Sequence, residues 1–96
     1  MIPDLDELEG FDWDEGNRKK VEKRMAISTA ESAFLGEPLV FFDEAHSQSE
    51  SRWFLMNRID ERRLFLAFTI RGRKIRIVSA RFMHEKEARK YAKKIG

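Results

Sequence analysis

The stretch "LFLAFTIRGRKIRIVSAR" (Leu64–Arg81) decides the fold. Its first part, Leu64 to Ile70, is almost wholly apolar, the composition of a central strand covered on both faces. "RGR" (Arg71–Arg73) makes a tight turn around Gly72. "KIRIVSAR" (Lys74–Arg81) then alternates, with Ile75 and Ile77 on one side and Lys74 and Arg76 on the other. Strand, turn and strand make an antiparallel hairpin, around which the other elements are placed.

Working outward, "LVFFD" (Leu39–Asp43) and "RWFLMNR" (Arg52–Arg58) read as two more strands, joined by the polar loop "EAHSQSES". "IDERR" is a turn region, and "FDW" (Phe11–Trp13) is a short aromatic stretch that could add a fifth strand. Asp14 is a good helix N-cap, followed by a mostly polar helix with a thin apolar stripe through Val21 and Met25. Ser28 and Glu31 make a capping-box pattern for a second helix that Gly36 ends. A last helix starts near His84, with Ala88, Tyr91, Ala92 and Ile95 as its apolar stripe. The expected strands are 39–43, 52–58, 64–70 and 74–81; the expected helices are 14–25, 28–35 and 84–95. This order is an α+β fold, two N-terminal helices and a C-terminal helix packed on an antiparallel sheet of four to five strands. Residues 1–10 read as a weakly ordered acidic lead-in, and 11–96 as one domain.

Ninety-six residues suit one modest core, and 42% hydrophobic content is enough to fold. Without cysteine there is no disulfide, thiolate metal site or cysteine nucleophile, and two histidines are too few for a His-rich metal site. No apolar run approaches a membrane span, and the acidic N-terminus lacks a signal-peptide pattern. The expectation is a cytoplasmic protein that needs no cofactor or metal. The net charge of +2 hides an asymmetry: residues 1–16 hold seven acids and no Lys or Arg, whereas residues 71–96 hold ten bases and two acids. Either a polyanion or acidic partner meets the basic end, or the two ends neutralise each other in the fold.

Period-two counting places Arg52 and Arg58 on one face of their strand, and Thr69 and Arg71 together on theirs. Lys74 and Arg76 share a face, and Arg81 closes the last strand. Arginine suits bidentate phosphate contact, so these residues point to a phosphodiester site; the alternative is a row of solvated edge charges. Glu87 and Tyr91 lie at i, i+4 just after Arg81 and could supply an acid/base group for RNA cleavage. His46 is a second acid/base candidate, and with Asp43 makes at most a weak metal pair. In metal-free RNA cleavage the 2′-hydroxyl attacks its own phosphate, a base takes its proton, and cations stabilise the extra charge.

The blocks "FDWDEGN", "IS-x-x-E-S-A-F-L-x-E-P-L", "D-E-x-H-S", "R-W-F-L", "F-T-x-R-G", "I-R-I-V-S-A-R" and "E-x-x-x-Y" run in order from about Phe11 to Lys94. This series resembles the BrnT toxins. The resemblance implies a RelE-like fold and a small bacterial ribonuclease toxin. It also implies a BrnA antitoxin of ribbon-helix-helix type, which binds operator DNA and represses the operon together with the toxin. One departure stands out. The family pattern has an Asn in the first helix and a Lys-His-Gly step before the second; here those positions are Val21 and Arg24-Met25-Ala26. If that His takes part in catalysis the chain is a weakened toxin, retained as an antitoxin-binding co-repressor; if it only caps the helix, activity survives.

The sequence reading therefore assigns catalysis to Arg76, Arg81, Glu87, His46 and Tyr91, and RNA binding to Arg58, Thr69, Arg71 and Lys74. Its expected partners are RNA and a BrnA-like antitoxin, with operator DNA reached only through the antitoxin and no membrane contact.

Overall fold

The central hairpin forms as its sequence demands. β3 (Arg62–Arg71) turns through Gly72 and Arg73 into β4 (Lys74–Phe82), and Gly72 takes φ +61, the left-handed value that glycine adopts at no steric cost. The structure is a computed structural model that describes residues 2–95, with side-chain surroundings up to residue 93. β1 (Leu39–Phe42) and β2 (Arg52–Ile59) complete a four-stranded antiparallel sheet in the order β1-β2-β3-β4. Before the sheet come α1 (Glu15–Glu22) and α2 (Ile27–Ser32); after it comes α3 (Glu85–Ile95). The chain is thus an α+β domain.

One face of the sheet carries the core. Trp53 and Leu55, Leu64, Leu66 and Phe68, and Ile75, Ile77 and Ala80 meet Val21, Met25, Ala30 and Ala33 from the helical layer. Phe68, Leu55, Leu64, Leu66, Ile77 and Val21 are fully buried, and each such side chain is worth about 1.5–3 kcal/mol of transfer free energy. The opposite face, here the open face, carries Arg52, Phe54, Met56 and Arg58 of β2, with Phe65, Ala67 and Thr69 of β3 opposite them.

A register shift between Ala67 and Phe68 changes the parity of β4 partway along. Phe68 pairs with Ile77 and Ala67 with Ser79, so Val78 has no partner and forms a bulge. The bulge lets Ile77 and Ala80 both face the core. It also sends Arg81 to the open face, opposite Phe65; strict alternation from Ile75 and Ile77 would have buried it.

Polar side chains tie the layers together. Asp14 caps α1, and Asn17 reciprocates to the Asp14 backbone N–H, completing a capping box. Buried Asn17 also donates to the carbonyls of Asp12 and Ile77, fastening α1 to β4. Asn57 of β2 donates to the carbonyls of Ala33 and Leu35, holding the exit of α2.

Several expectations change. α1 ends at Glu22 rather than 25. The second helix starts at Ile27, with Ala26 as an N-cap that makes no side-chain bond; the Ser28–Glu31 capping box does not form. Glu31 instead accepts the indole N–H of Trp13 at 2.9 Å, because a half-buried donor needs a partner. "FDW" contributes a single parallel bridge, Phe11 to Ile75, rather than a full strand. The lead-in has a 3-10 turn (Leu5–Glu7), and Leu5 and Leu8 pack against the core. On α3, Tyr91 is buried and Ala88 half-buried, but Ala92 is exposed. The side chain of Ile95 lies outside the described residues.

Candidate active site

The open face has two cationic ends. At the β3–β4 turn end, the register aligns Arg52, Thr69 and Arg76 across three strands, with Arg71 opposite Lys74 in the next row. Arg81 lies further along β4, opposite Phe65 and so four rungs from the Thr69–Arg76 pair, about 13 Å away at about 3.3 Å per rung. Arg58 is at that far end too, opposite Arg63 and beside the β2–β3 turn, where its Nε donates to the Asp60 carbonyl. The four arginines expected at one place are therefore divided between two.

The β1–β2 loop brings His46 to the first end. Asp43, at the end of β1, is buried (4% exposed), and its carboxylate accepts from both the backbone N–H and the Nδ1 of His46, at 3.3 and 3.0 Å. Ser47 locks the loop: its hydroxyl donates to the Asp43 carbonyl and accepts the Arg52 N–H. With Nδ1–H given to Asp43, the neutral imidazole has its lone pair on Nε2, and the side chain is 63% exposed. His46 and Arg52 line one surface cavity of about 290 Å³. The cavity thus brings an imidazole oriented by a carboxylate and a basic residue to one place.

Not every cation of this end is available. Arg76 is 14% exposed and lies 2.9 Å from Asp14 and 3.7 Å from Asp12. The Asn17 backbone N–H and then the Arg76 guanidinium hold the Asp14 carboxyl below its ordinary range. Arg76 thus anchors the N-terminal segment to β4, and the catalytic role expected for it is already occupied by two carboxylates. Arg71 pairs with Glu50 at 3.3 Å. Lys74 and Arg52 have no ion pair among the described residues. Thr69 is 1% exposed and donates to the Ser51 carbonyl, so it braces the end of the β1–β2 loop from below the surface.

At the second end, Arg81 makes a fork of two 2.6 Å bonds to Glu87, and its guanidinium lies 4.7 Å from the centre of the Phe65 ring. Glu87 also accepts the His84 backbone N–H at the start of α3. These bonds, the Arg81 fork first, lower Glu87 to about 2. A carboxylate so stabilised is a feeble base and is never an acid near neutrality, so the acid/base role expected for Glu87 gives way to orienting Arg81. Tyr91 of α3 is 4% exposed, so its ring is buried. A cavity of about 280 Å³ adjoins Arg81, lined also by Lys20, Lys23, Arg24, Ser79 and Ala80. Val21 and Met25, the two positions that the sequence reading singled out as departures, are both in the core.

Sequence reasoning passed over Arg52 as a site residue and over Lys20 and Lys23 altogether, and it noted Arg24 only as part of the step before the second helix. The signal for Arg52 was its place at the start of the strand that follows the loop carrying His46; for the others there was none, because an exposed polar helix looks the same whatever faces it.

Among the described residues no group of three or more His, Cys, Asp or Glu is placed to hold a metal ion, and no helix is long and apolar enough to cross a membrane. In comparisons with known proteins, no curated protein and no solved structure matched. The family model described as "Ribonuclease toxin, BrnT, of type II toxin-antitoxin system" matches residues 13–87, a span that takes in both ends of the open face. The chain belongs to this family of ribonuclease toxins, and an antitoxin is the partner that membership implies.

Proposed function

From membership of that family as premise, we propose that this chain is a metal-independent endoribonuclease whose reacting centre is His46, oriented by Asp43, beside Arg52. His46 Nε2 takes the proton of the ribose 2′-hydroxyl as its oxygen attacks the adjacent phosphorus. The 5′-oxygen leaves and is protonated by water. Arg52 and Lys74 stabilise the added negative charge of the transition state, with Arg71 and Arg76 forming the rim. The observation that carries the reading is the buried Asp43 carboxylate on Nδ1, which leaves Nε2 without a partner among the described residues, on a side chain that lines one cavity with Arg52. Cleavage of cytoplasmic RNA stops translation and growth. A BrnA-like antitoxin neutralises the toxin, and the complex represses its own operon, reaching operator DNA through the antitoxin. A RelE-like ancestry fits the element order.

A second reading has its own support: Met25, 7% exposed in the core, stands where the family carries His. On that reading the chain binds antitoxin and assists repression without cutting RNA. The deciding assay is cleavage of a synthetic RNA by purified protein in the presence of a chelator. The first reading expects 2′,3′-cyclic phosphate ends, and a loss of about a hundredfold or more in His46→Ala, the typical worth of a positioned general base. Wild-type rates from folded His46→Ala would remove His46 from the chemistry, and no cleavage by the wild type would establish the second reading.

A further inference from the structure

The basic residues of α1 and its exit sort into two groups. Arg18 and Lys19 are neutralised on the helix itself, by Glu22 at 3.7 Å and Glu15 at 2.8 Å. Lys20, Lys23 and Arg24 are exposed and have no ion pair among the described residues. These three line the 280 Å³ cavity at the β4 edge, whose lining contains no acid. The opposite wall is Ser79, Ala80 and Arg81, delivered there by the bulge at Val78. Cations near a helix C-terminus complement its dipole, which explains a basic last turn. It does not explain why three cations without an ion pair among the described residues meet around one cavity whose lining holds no acid.

We propose that this pocket is a second phosphate-binding site, which grips the RNA strand away from the reacting centre. The choice of RNA as ligand rests on the ribonuclease reading. Ser79 and Arg81 belong to the open face and also line the pocket, so a strand lying on His46 and Arg52 can continue along β4 into it. The separation, about 13 Å by strand geometry, is too long for one nucleotide to bridge, so the pocket holds a different phosphate from the one cleaved. Arg81 is held in place by its fork to Glu87 and its position over Phe65, so Lys20, Lys23 and Arg24, which have no ion pair among the described residues, are the cations that hold the phosphate. The site thereby sets a minimum length for tight-binding substrates and a direction for the strand.

The test uses the full chain and a fluorescent 2′-O-methyl oligoribonucleotide, which binds without being cut. Affinity is measured over a salt series for wild type, for the triple variant Lys20→Ala/Lys23→Ala/Arg24→Ala, and for Lys86→Ala/Lys90→Ala/Lys93→Ala, which removes equal charge from α3. Each lost phosphate contact on a single strand lowers the log-log salt slope by about 0.7, so the pocket variant, which gives up one phosphate, is expected to lose about 0.7 in slope and bind more weakly, with the α3 variant near wild type. All three pocket positions are exposed, and unchanged thermal unfolding confirms that the variant is folded. An unchanged slope in the pocket variant overturns the proposal, as does an equal loss in the α3 variant, which would make the effect one of net charge. If RNA binding is unchanged while affinity for the antitoxin falls, the pocket belongs to an acidic protein segment and the RNA assignment is overturned. A wild type that shows the pocket-dependent slope but cuts no RNA would leave this site standing and remove only the ribonuclease reading.

Discussion

The fork between Arg81 and Glu87 ties α3 to the sheet, and replacing Glu87 by Gln tests how much that tie is worth. The two 2.6 Å bonds, together with the His84 N–H, lower the carboxyl from 4.5 to about 2. Taken at face value at about 1.4 kcal/mol per unit, that shift would correspond to about 3 kcal/mol. Both side chains are roughly a third exposed, so solvent screens the pair, and exposed pairs are worth about 1 kcal/mol or less. The fork geometry and the N–H bond argue for the upper part of the range, and the expected loss at neutral pH is about 1–2 kcal/mol. For a domain of this size each kcal/mol moves Tm by about 4–8 °C. The pH dependence has a definite sign. The folded carboxyl is depressed, so its contribution is complete above 4.5 and is lost as pH falls through about 2. Thermal unfolding followed by circular dichroism, for wild type and Glu87→Gln in parallel, should show a gap at pH 7 that narrows below pH 4.5 and closes near pH 2. A gap that stays constant down to pH 2, or no gap at pH 7, would show that the fork does not stabilise the fold.

Arg76→Ala should act mainly on stability. It strands Asp12 and Asp14 beside β4, and with those partners partly exposed the expected loss is about 1–2 kcal/mol, read as a lower Tm. Cleavage per folded molecule should fall less than in His46→Ala measured alongside it. Asn17→Ala should cost about 2–3 kcal/mol in urea unfolding, because it removes half of the capping box and leaves the buried Ile77 carbonyl without its side-chain donor.

The sequence by itself determined the elements and their order. Alternation in Lys74–Ile77, the apolar run Leu64–Ile70 and glycine at position 72 are local patterns with local physical causes, and the hairpin they specify is present. Asp14 as the cap of α1 was legible for the same reason, since a cap acts within a few residues of itself. The family blocks likewise carried the ribonuclease-toxin assignment, which the match over residues 13–87 supports.

Only the tertiary structure decided where the charges go. A one-residue bulge at Val78 reverses the parity of the rest of β4, and no feature of "IVSAR" announces it, because the register belongs to the pairing of two strands. That single shift puts Arg81 on the open face with Phe65 and Glu87 instead of in the core. The Ser28–Glu31 box failed because Trp13, remote in sequence, claimed the Glu31 carboxylate. Arg76 passed from expected catalyst to anchor because Asp12 and Asp14 fold back against it, and Arg52 joined His46 because the β1–β2 loop closes over the end of β2. Local propensity is set by each residue and its near neighbours, whereas ion pairs, registers and cavities are set by which distant segments the core brings together.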